Sequence, residues 1–212
     1  GIAHEINNPL GVILCYSDLL KQQLAGQQQG LNDVATIEKH ARSCQRIVSD
    51  LLNFSRGQET VRKTTSLNEA VGQVIHLLGR QFERKRRKIE MVLDPELPDI
   101  SIDVDQIKQV VLNLIMNAHQ AMGNKGVIRV TTKYLPADKE VILEIWDNGE
   151  GIPVKIKDKI FDPFFSTKRD GTGLGLSVSY GIIQNHGGEI QVESRPGQWS
   201  RFTIVLPVDG RG

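Results

Sequence analysis

Cysteine is scarce: the 212 residues hold two, Cys15 and Cys44, with no C-x-x-C spacing. That excludes a paired-cysteine redox or metal motif and predicts two small buried hydrophobes in a reducing compartment. Long apolar runs are also missing. No stretch approaches the roughly 20 residues of a membrane span, and nothing resembles a signal peptide. Neither charge sign is in excess, since 26 Lys and Arg against 25 Asp and Glu leave +1. That balance gives no electrostatic case for nucleic acid. The one dense basic run, Arg84 to Lys88, is expected at a solvated helix C-terminus, where cations suit the dipole. Both common nucleotide-binding glycine patterns are absent: there is no G-x-x-x-x-G-K-[ST] and no G-x-G-x-x-G.

What the chain does have is a different glycine loop. Gly171, Thr172, Gly173, Leu174, Gly175 and Leu176 precede the apolar-periodic run Val178, Ile182, Ile183, which Gly187 and Gly188 close. This reads as a loop feeding a helix N-terminus, whose free N–H groups and positive dipole end favour a phosphate. Three other segments add weight. Asp147-Asn148-Gly149-Glu150-Gly151-Ile152 follows the apolar run 141–146. A carboxylate at a strand end accepts from an exocyclic amine, and the glycines admit a flat ring, although alone the segment reads as an Asp-Asn-Gly turn. Asn113 and Asn117 lie about 40° apart on a helix, with Gln120 beside them. Such amides suit a core poorly without partners, and their oxygens suit a hard cation such as Mg²⁺ that keeps waters and phosphates as ligands. Phe161, Phe164 and Phe165 are half of the six phenylalanines. They predict a loop pinned into the core by aromatics, with Thr167 and Lys168 in a lid beyond.

In this order the four segments resemble the N, G1, F and G2 boxes of the histidine-kinase ATP-binding domain, in the GHKL ATPase superfamily. Ala3-His4-Glu5-Ile6-Asn7-Asn8-Pro9-Leu10 resembles the H box of the same kinases, and the wording of the boxes is most like the nitrogen-regulation class. The resemblance implies ATP and Mg²⁺ as ligands: adenine on Asp147, metal on Asn117 assisted by Asn113, and phosphate on Gly171, Gly173 and Gly175. Gln120, Gly149, Gly151, Ile152, Thr167, Lys168, Thr172, Leu174, Leu176 and Thr203 complete the expected nucleotide set. It also implies His4 as the phosphorylated residue, with Glu5 taking or orienting the imidazole proton. Pro9 cannot donate to the Glu5 carbonyl, which loosens the helix just after the histidine. Asn8, one turn from His4, either orients a water for dephosphorylating a receiver or merely solvates the turn before Pro9. His40, His76 and His186 are expected to be structural, and His119 to be structural with a lid contact as the alternative.

The fold expectation is a helical hairpin, half of a dimeric four-helix bundle, followed by an α/β sandwich with a mixed sheet of GHKL type. Apolar stripes at 10–24 and 34–54, broken near Gly26–Gly30, make the hairpin at residues 1–56. Two stripes that a lone hairpin cannot bury favour a homodimer. Polar residues 57–65 read as a linker, and residues 66–212 as the ATP-binding domain, with helices near 67–87 and 105–122. The start so close to His4 implies a fragment of a longer protein, cytoplasmic, with any sensor or membrane anchor upstream. The implied activity is autophosphorylation and transfer to an aspartate of a response-regulator receiver. The competing readings are a GHKL-type ATPase and a nucleotide-binding adaptor. Several such ATPases place a glutamate where this chain has Asn113, and a neutral amide is no base for activating water.

Overall fold

The computed structural model describes residues 2–24, 26–55, 61–83, 87–123, 125–168 and 171–208. The chain divides into two compact units, Gly1–Gln58 with Ser166–Leu174, and Glu59–Phe165 with Gly175–Gly212. The first unit contains two helices, α1 (Ile2–Gln23) and α2 (Gln28–Ser55). α1 runs through Pro9 without a break. The reversal is tighter than the glycine and glutamine run suggests. Gly26 turns the chain at a φ of +92°, while Gly30 is already helical and its Cα faces the Leu24 side chain.

Val34, Ala41 and Ser17 are buried in this unit, and Lys21 Nζ reaches Glu38 Oε2 at 2.5 Å. That ammonium holds the Glu38 carboxyl below its ordinary range. Cys15 and Cys44 are both exposed, contrary to expectation, because each falls off the α1–α2 contact stripe.

The second unit opens with a short strand, β1 (Lys63–Thr65), where the sequence reads as linker. Its antiparallel partner is β3 (Ile100–Ile102), another three-residue strand too brief to show a period. Between them lie α3 (Leu67–Glu83) and β2 (Arg87–Val92). After β3 come α4 (Val104–Ala121), β4 (Gly126–Leu135), β5 (Glu140–Asp147), a 3₁₀ turn over Val154–Lys159, α5 (Gly175–Asn185), β6 (Glu189–Arg195) and β7 (Trp199–Pro207). The main sheet has the order β2-β4-β5-β7-β6, with β2 parallel to β4 and the other pairs antiparallel.

Side chains alternate along each strand, so one face carries the rows Thr132–Leu143–Ile204–Ile190 and Val130–Ile145–Phe202–Val192. Leu67, Val71, Val74, Leu78 and Phe82 of α3 meet this core at a spacing of three and four. Ile107, Val110, Val111, Leu114 and Ile115 of α4 do the same. Fully burying each such side chain contributes roughly 1.5–3 kcal/mol. On the opposite face, Glu90, Arg129, Trp146, Arg201 and Glu193 form a continuous row across all five strands. Arg129 pairs with Glu90 at 3.1 Å and lies 5.5 Å from the Trp146 ring, and Arg201 reaches Glu193 at 2.6 Å. Exposed pairs of this kind contribute little to stability, being screened by solvent.

α3 spans Leu67–Glu83, residues 84–86 of the basic run lie outside the described residues, and Arg87, expected at a helix end, belongs to β2. The Arg87 guanidinium instead closes the far end of α4, donating to Met122 O at 2.9 Å and to Gly123 O at 2.5 Å. It also lies 2.6 Å from His119 Nδ1, and the His119 ring sits 4.4 Å from that of Phe82. His119 is therefore packed into the structure, as its helical position implies. Arg87→Ala leaves the Met122 and Gly123 carbonyls just past α4 without their cation and is expected to destabilise the second unit by about 1–3 kcal/mol. A urea-denaturation midpoint unchanged by the substitution would remove this cap from the account.

Candidate active site

Asp147 ends β5 with its side chain on the core face, 2% exposed. A carboxylate there needs hydrogen-bond donors, and the turn that follows supplies one: Gly149 N donates to Asp147 Oδ1 at 2.8 Å. Only glycine fits at 149, because a Cβ would meet Asp147 Oδ1 at 2.6 Å and Ala121 O at 2.8 Å. The Ala121 carbonyl, at the end of α4, accepts from Glu150 N at 3.0 Å. Gly151 has a φ of +67°, and a Cβ there would meet Arg195 O at 2.4 Å. Asn148 Oδ1 takes the bond of Val127 N at 2.8 Å, and Ile152 N donates to Ser194 Oγ at 2.7 Å. The turn is thus clamped between α4, β4 and the β6–β7 hairpin. Its Asp-Asn-Gly lettering is both a turn and a carboxylate mount.

Asp103 caps α4, accepting from Asp105 N and Gln106 N, and so fixes the helix that carries the two asparagines. Asn113 is half-buried and faces α5: its Nδ2 donates to Gly175 O at 3.2 Å and to Ser179 Oγ at 3.3 Å. Ser179, fully buried, donates in turn to Gly175 O at 2.8 Å. The amide nitrogen of Asn113 is therefore committed to α5, which sets the direction of its oxygen. Asn117, half-buried, lies one turn farther along α4, and Gln120 is exposed near the helix end.

The glycine loop runs directly into α5, which begins at Gly175, with Leu176 in its first turn. Ahead of it, Ser166 Oγ accepts from Lys168 N at 3.1 Å and Gly171 N donates to Lys168 O at 3.2 Å. A Cβ on Gly171 would meet Ser166 Oγ at 2.4 Å. Thr172 Oγ1 accepts from Leu174 N at 3.4 Å, and Gly173 takes a φ of +70°. Thr167 is exposed.

Of the phenylalanines before the loop, Phe161 and Phe165 pack on the core, Phe161 with its ring 5.6 Å from Tyr180. Phe164 does not: it is 62% exposed at a φ of +66°, so two aromatics pin the segment rather than three.

Thr203 is not brought to Asp147. It stands on the opposite face of the sheet, in register with Glu144 and Gln191. The residue across from Asp147 is Ser200, 3% exposed, and next to it lies Ser194. Period-two counting from Phe202, Ile204 and Leu206 identifies Ser200 as the polar member of that face. In the first unit, His4 and Glu5 lie in α1, with side chains outside the described residues; Asn8 is exposed.

Comparison with known proteins matches residues 102–210 to the family described as histidine kinase-, DNA gyrase B- and HSP90-like ATPase. Residues 1–60 match the His Kinase A (phospho-acceptor) domain. The signal transduction histidine-protein kinase AtoS of Escherichia coli (strain K12) is 39% identical over 214 residues, covering 100% of this chain and 34% of AtoS. The sensor histidine kinase ZraS of Klebsiella oxytoca is 35% identical, covering 100% of this chain and 46% of ZraS. Among solved structures, histidine kinase ThkA in complex with response regulator protein TrrA matches at a TM-score of 0.74 and 30% identity. That match covers 98% of this chain and 60% of the other. The chain thus spans less than half the length of these two sensor kinases. With a phospho-acceptor hairpin and an ATPase-type domain in one polypeptide, it belongs to the sensor histidine kinase family.

Proposed function

We propose that the chain is the kinase core of an ATP-dependent protein-histidine kinase that autophosphorylates His4 and passes the phosphoryl group to an aspartate of a response-regulator receiver. The observation that carries the reading is the buried Asp147 on a turn where a Cβ cannot be added, packed against the end of the helix that carries the two asparagines. We assign residues 1–56 to dimerisation and phosphotransfer, 57–65 to the linker and 66–212 to ATP binding. The hairpin leaves Val12, Ile13, Tyr16, Leu19, Leu20 and Ile37 exposed, which supports a homodimer through it. No described helix is long and apolar enough to cross a membrane. The kinase core works in the cytoplasm on this reading.

In the proposed mechanism the Asp147 carboxylate accepts from the adenine amine, and Gly149 and Gly151 let the ring approach the backbone. Gly171, Gly173 and Gly175 present N–H groups to phosphate, with Lys168 or Thr167 closing over it. Asn117, assisted by Asn113, would hold Mg²⁺; neutral amides on one helix face fit an ion that keeps phosphates and waters as its other ligands. The ion supplies charge neutralisation at the phosphate oxygens when bound. His4 attacks the γ-phosphorus in line: a P–N bond forms, the bond to the β–γ bridging oxygen breaks, and ADP leaves. Glu5 takes or orients the imidazole proton. Asn113 offers no carboxylate to activate water, so the γ-phosphate is kept for histidine.

Incubation with γ-labelled ATP is expected to place acid-labile, base-stable label on the protein, absent in His4→Ala. Unlabelled protein releasing phosphate steadily would overturn the kinase reading. Asn8→Ala is expected to keep the label and slow loss of phosphate from a matched receiver.

Nucleotide binding has its own test. Asp147→Asn presents an amide donor to the adenine amine and is expected to weaken ATP on the order of tenfold or more, as loss of a charge-assisted bond does. Gly149→Ala is expected to bind no better than Asp147→Asn. Calorimetry giving wild-type affinity for Asp147→Asn would remove that carboxylate from the adenine site.

A further inference from the structure

Asp103 makes more contacts than a helix cap requires. Beyond accepting from Asp105 N and Gln106 N, its Oδ2 accepts from Val61 N at 3.2 Å. Its own N–H donates to His186 Nε2 at 3.0 Å. His186 follows the last residue of α5 and is 2% exposed. Its Nδ1 lies 2.7 Å from Ile182 O, a carbonyl that can only accept, so Nδ1 carries the proton and Nε2 is the acceptor. The neutral imidazole satisfies both contacts; the imidazolium cannot. Arg62, beside Val61, donates to Asn185 O at the end of α5. Two consecutive residues before β1 therefore grip the start of α4 and the end of α5.

The same two helices meet again at Asn113, Gly175 and Ser179. From Asp103 to Asn113 is ten residues, and from Gly175 to His186 eleven, or about 15 and 17 Å of helix. α4 and α5 are thus antiparallel rails closed at both ends. One closure holds residues 61 and 62; the other lies in the candidate nucleotide site.

We propose that Asp103 and His186 are positioning residues for nucleotide, forming a knot through which residues 61 and 62 set the spacing of α4 and α5, and which opens when His186 is protonated. The proposal rests on the ATP-site reading above. Protonation puts an N–H donor against the Asp103 N–H, and the start of α4 loses its tie to α5. The charged groups facing the imidazole are the Asp103 carboxylate, which favours the proton, and the Arg62 guanidinium, which opposes it. Burial is the largest influence and, with Arg62, pushes the imidazole below its ordinary value, against the pull of Ile182 O and Asp103. The sign follows: the unfolded chain takes the proton first. The knot contributes its full stability above about pH 6.5 and loses it as pH falls through the folded value.

The test compares wild type, His186→Gln and Arg62→Ala in the whole chain, by ATP calorimetry from about pH 8 to about pH 5.5. Glutamine keeps an acceptor for Asp103 N–H at every pH, and ionisation of ATP itself is common to all three. Wild type is expected to lose affinity on acidification about fivefold more than His186→Gln. Arg62→Ala is expected to weaken ATP at both ends of the range. Parallel pH profiles for wild type and His186→Gln would overturn the proposal. Amide exchange without nucleotide separates the two readings. Loss of protection at Asp105 and Gln106 on acidification, measured against the intrinsic exchange rate at each pH, in wild type but not in His186→Gln, supports the knot. Unchanged protection there overturns it. Failure of wild type to bind ATP at the upper pH would overturn the ATP-site reading instead.

Discussion

A carboxylate buried at the end of a central strand is the constraint on which much of this structure depends. Asp147 occupies a position that the alternation of β5 assigns to the core, in line with Val141, Leu143 and Ile145. A charge there is costly unless donors surround it. The chain meets that demand by bringing the Gly149 N–H back onto Oδ1, which requires a turn too tight for any side chain at 149. The turn in turn needs the Ala121 carbonyl as a floor, so the end of α4 must stop where it does. Arg87, reaching across from β2, holds that end. The Asp147 turn and the C-terminus of α4 are one piece of packing.

The other end of α4 is treated with equal economy. Asp103 caps it, His186 ties the cap to α5, and Asn113 ties the middle of α4 to the first residue of α5. The result is a pair of rails tied at the start and the middle of α4. The five-strand row on the open face, Glu90 to Glu193, has no comparable tie to the site.

Much of this is legible in the residues. Helical periodicity gives α1 to α5, and alternation gives β4 to β7, because those elements bury one face and are long enough to show a period. β1 and β3 are three residues each and carry no period, so Lys63–Thr65 reads as linker. Asp147, Asn113 and Asn117 stand out because polar groups in apolar runs need partners. Ser200, Ser179, Asp103 and His186 do not stand out, since their roles exist only through contacts far apart in sequence: 53 residues in register for Ser200 and Asp147, 83 for Asp103 and His186. Arg87 and the cysteines mislead for the same reason. What Arg87 caps, and which side Cys15 faces, are tertiary facts.

On the proposed reading, nucleotide sits at the Asp147 end of the core-facing side of the sheet, against α4 and the start of α5. The most direct measurement is a titration of Mg·ATP into isotope-labelled protein, followed by backbone amide shifts. The account predicts the largest changes at residues 147–152, 113–120 and 171–176, with Arg129, Trp146 and Arg201 nearly still. Dominant shifts along the Glu90-to-Glu193 row, with Gly149 and Gly151 unmoved, would contradict it.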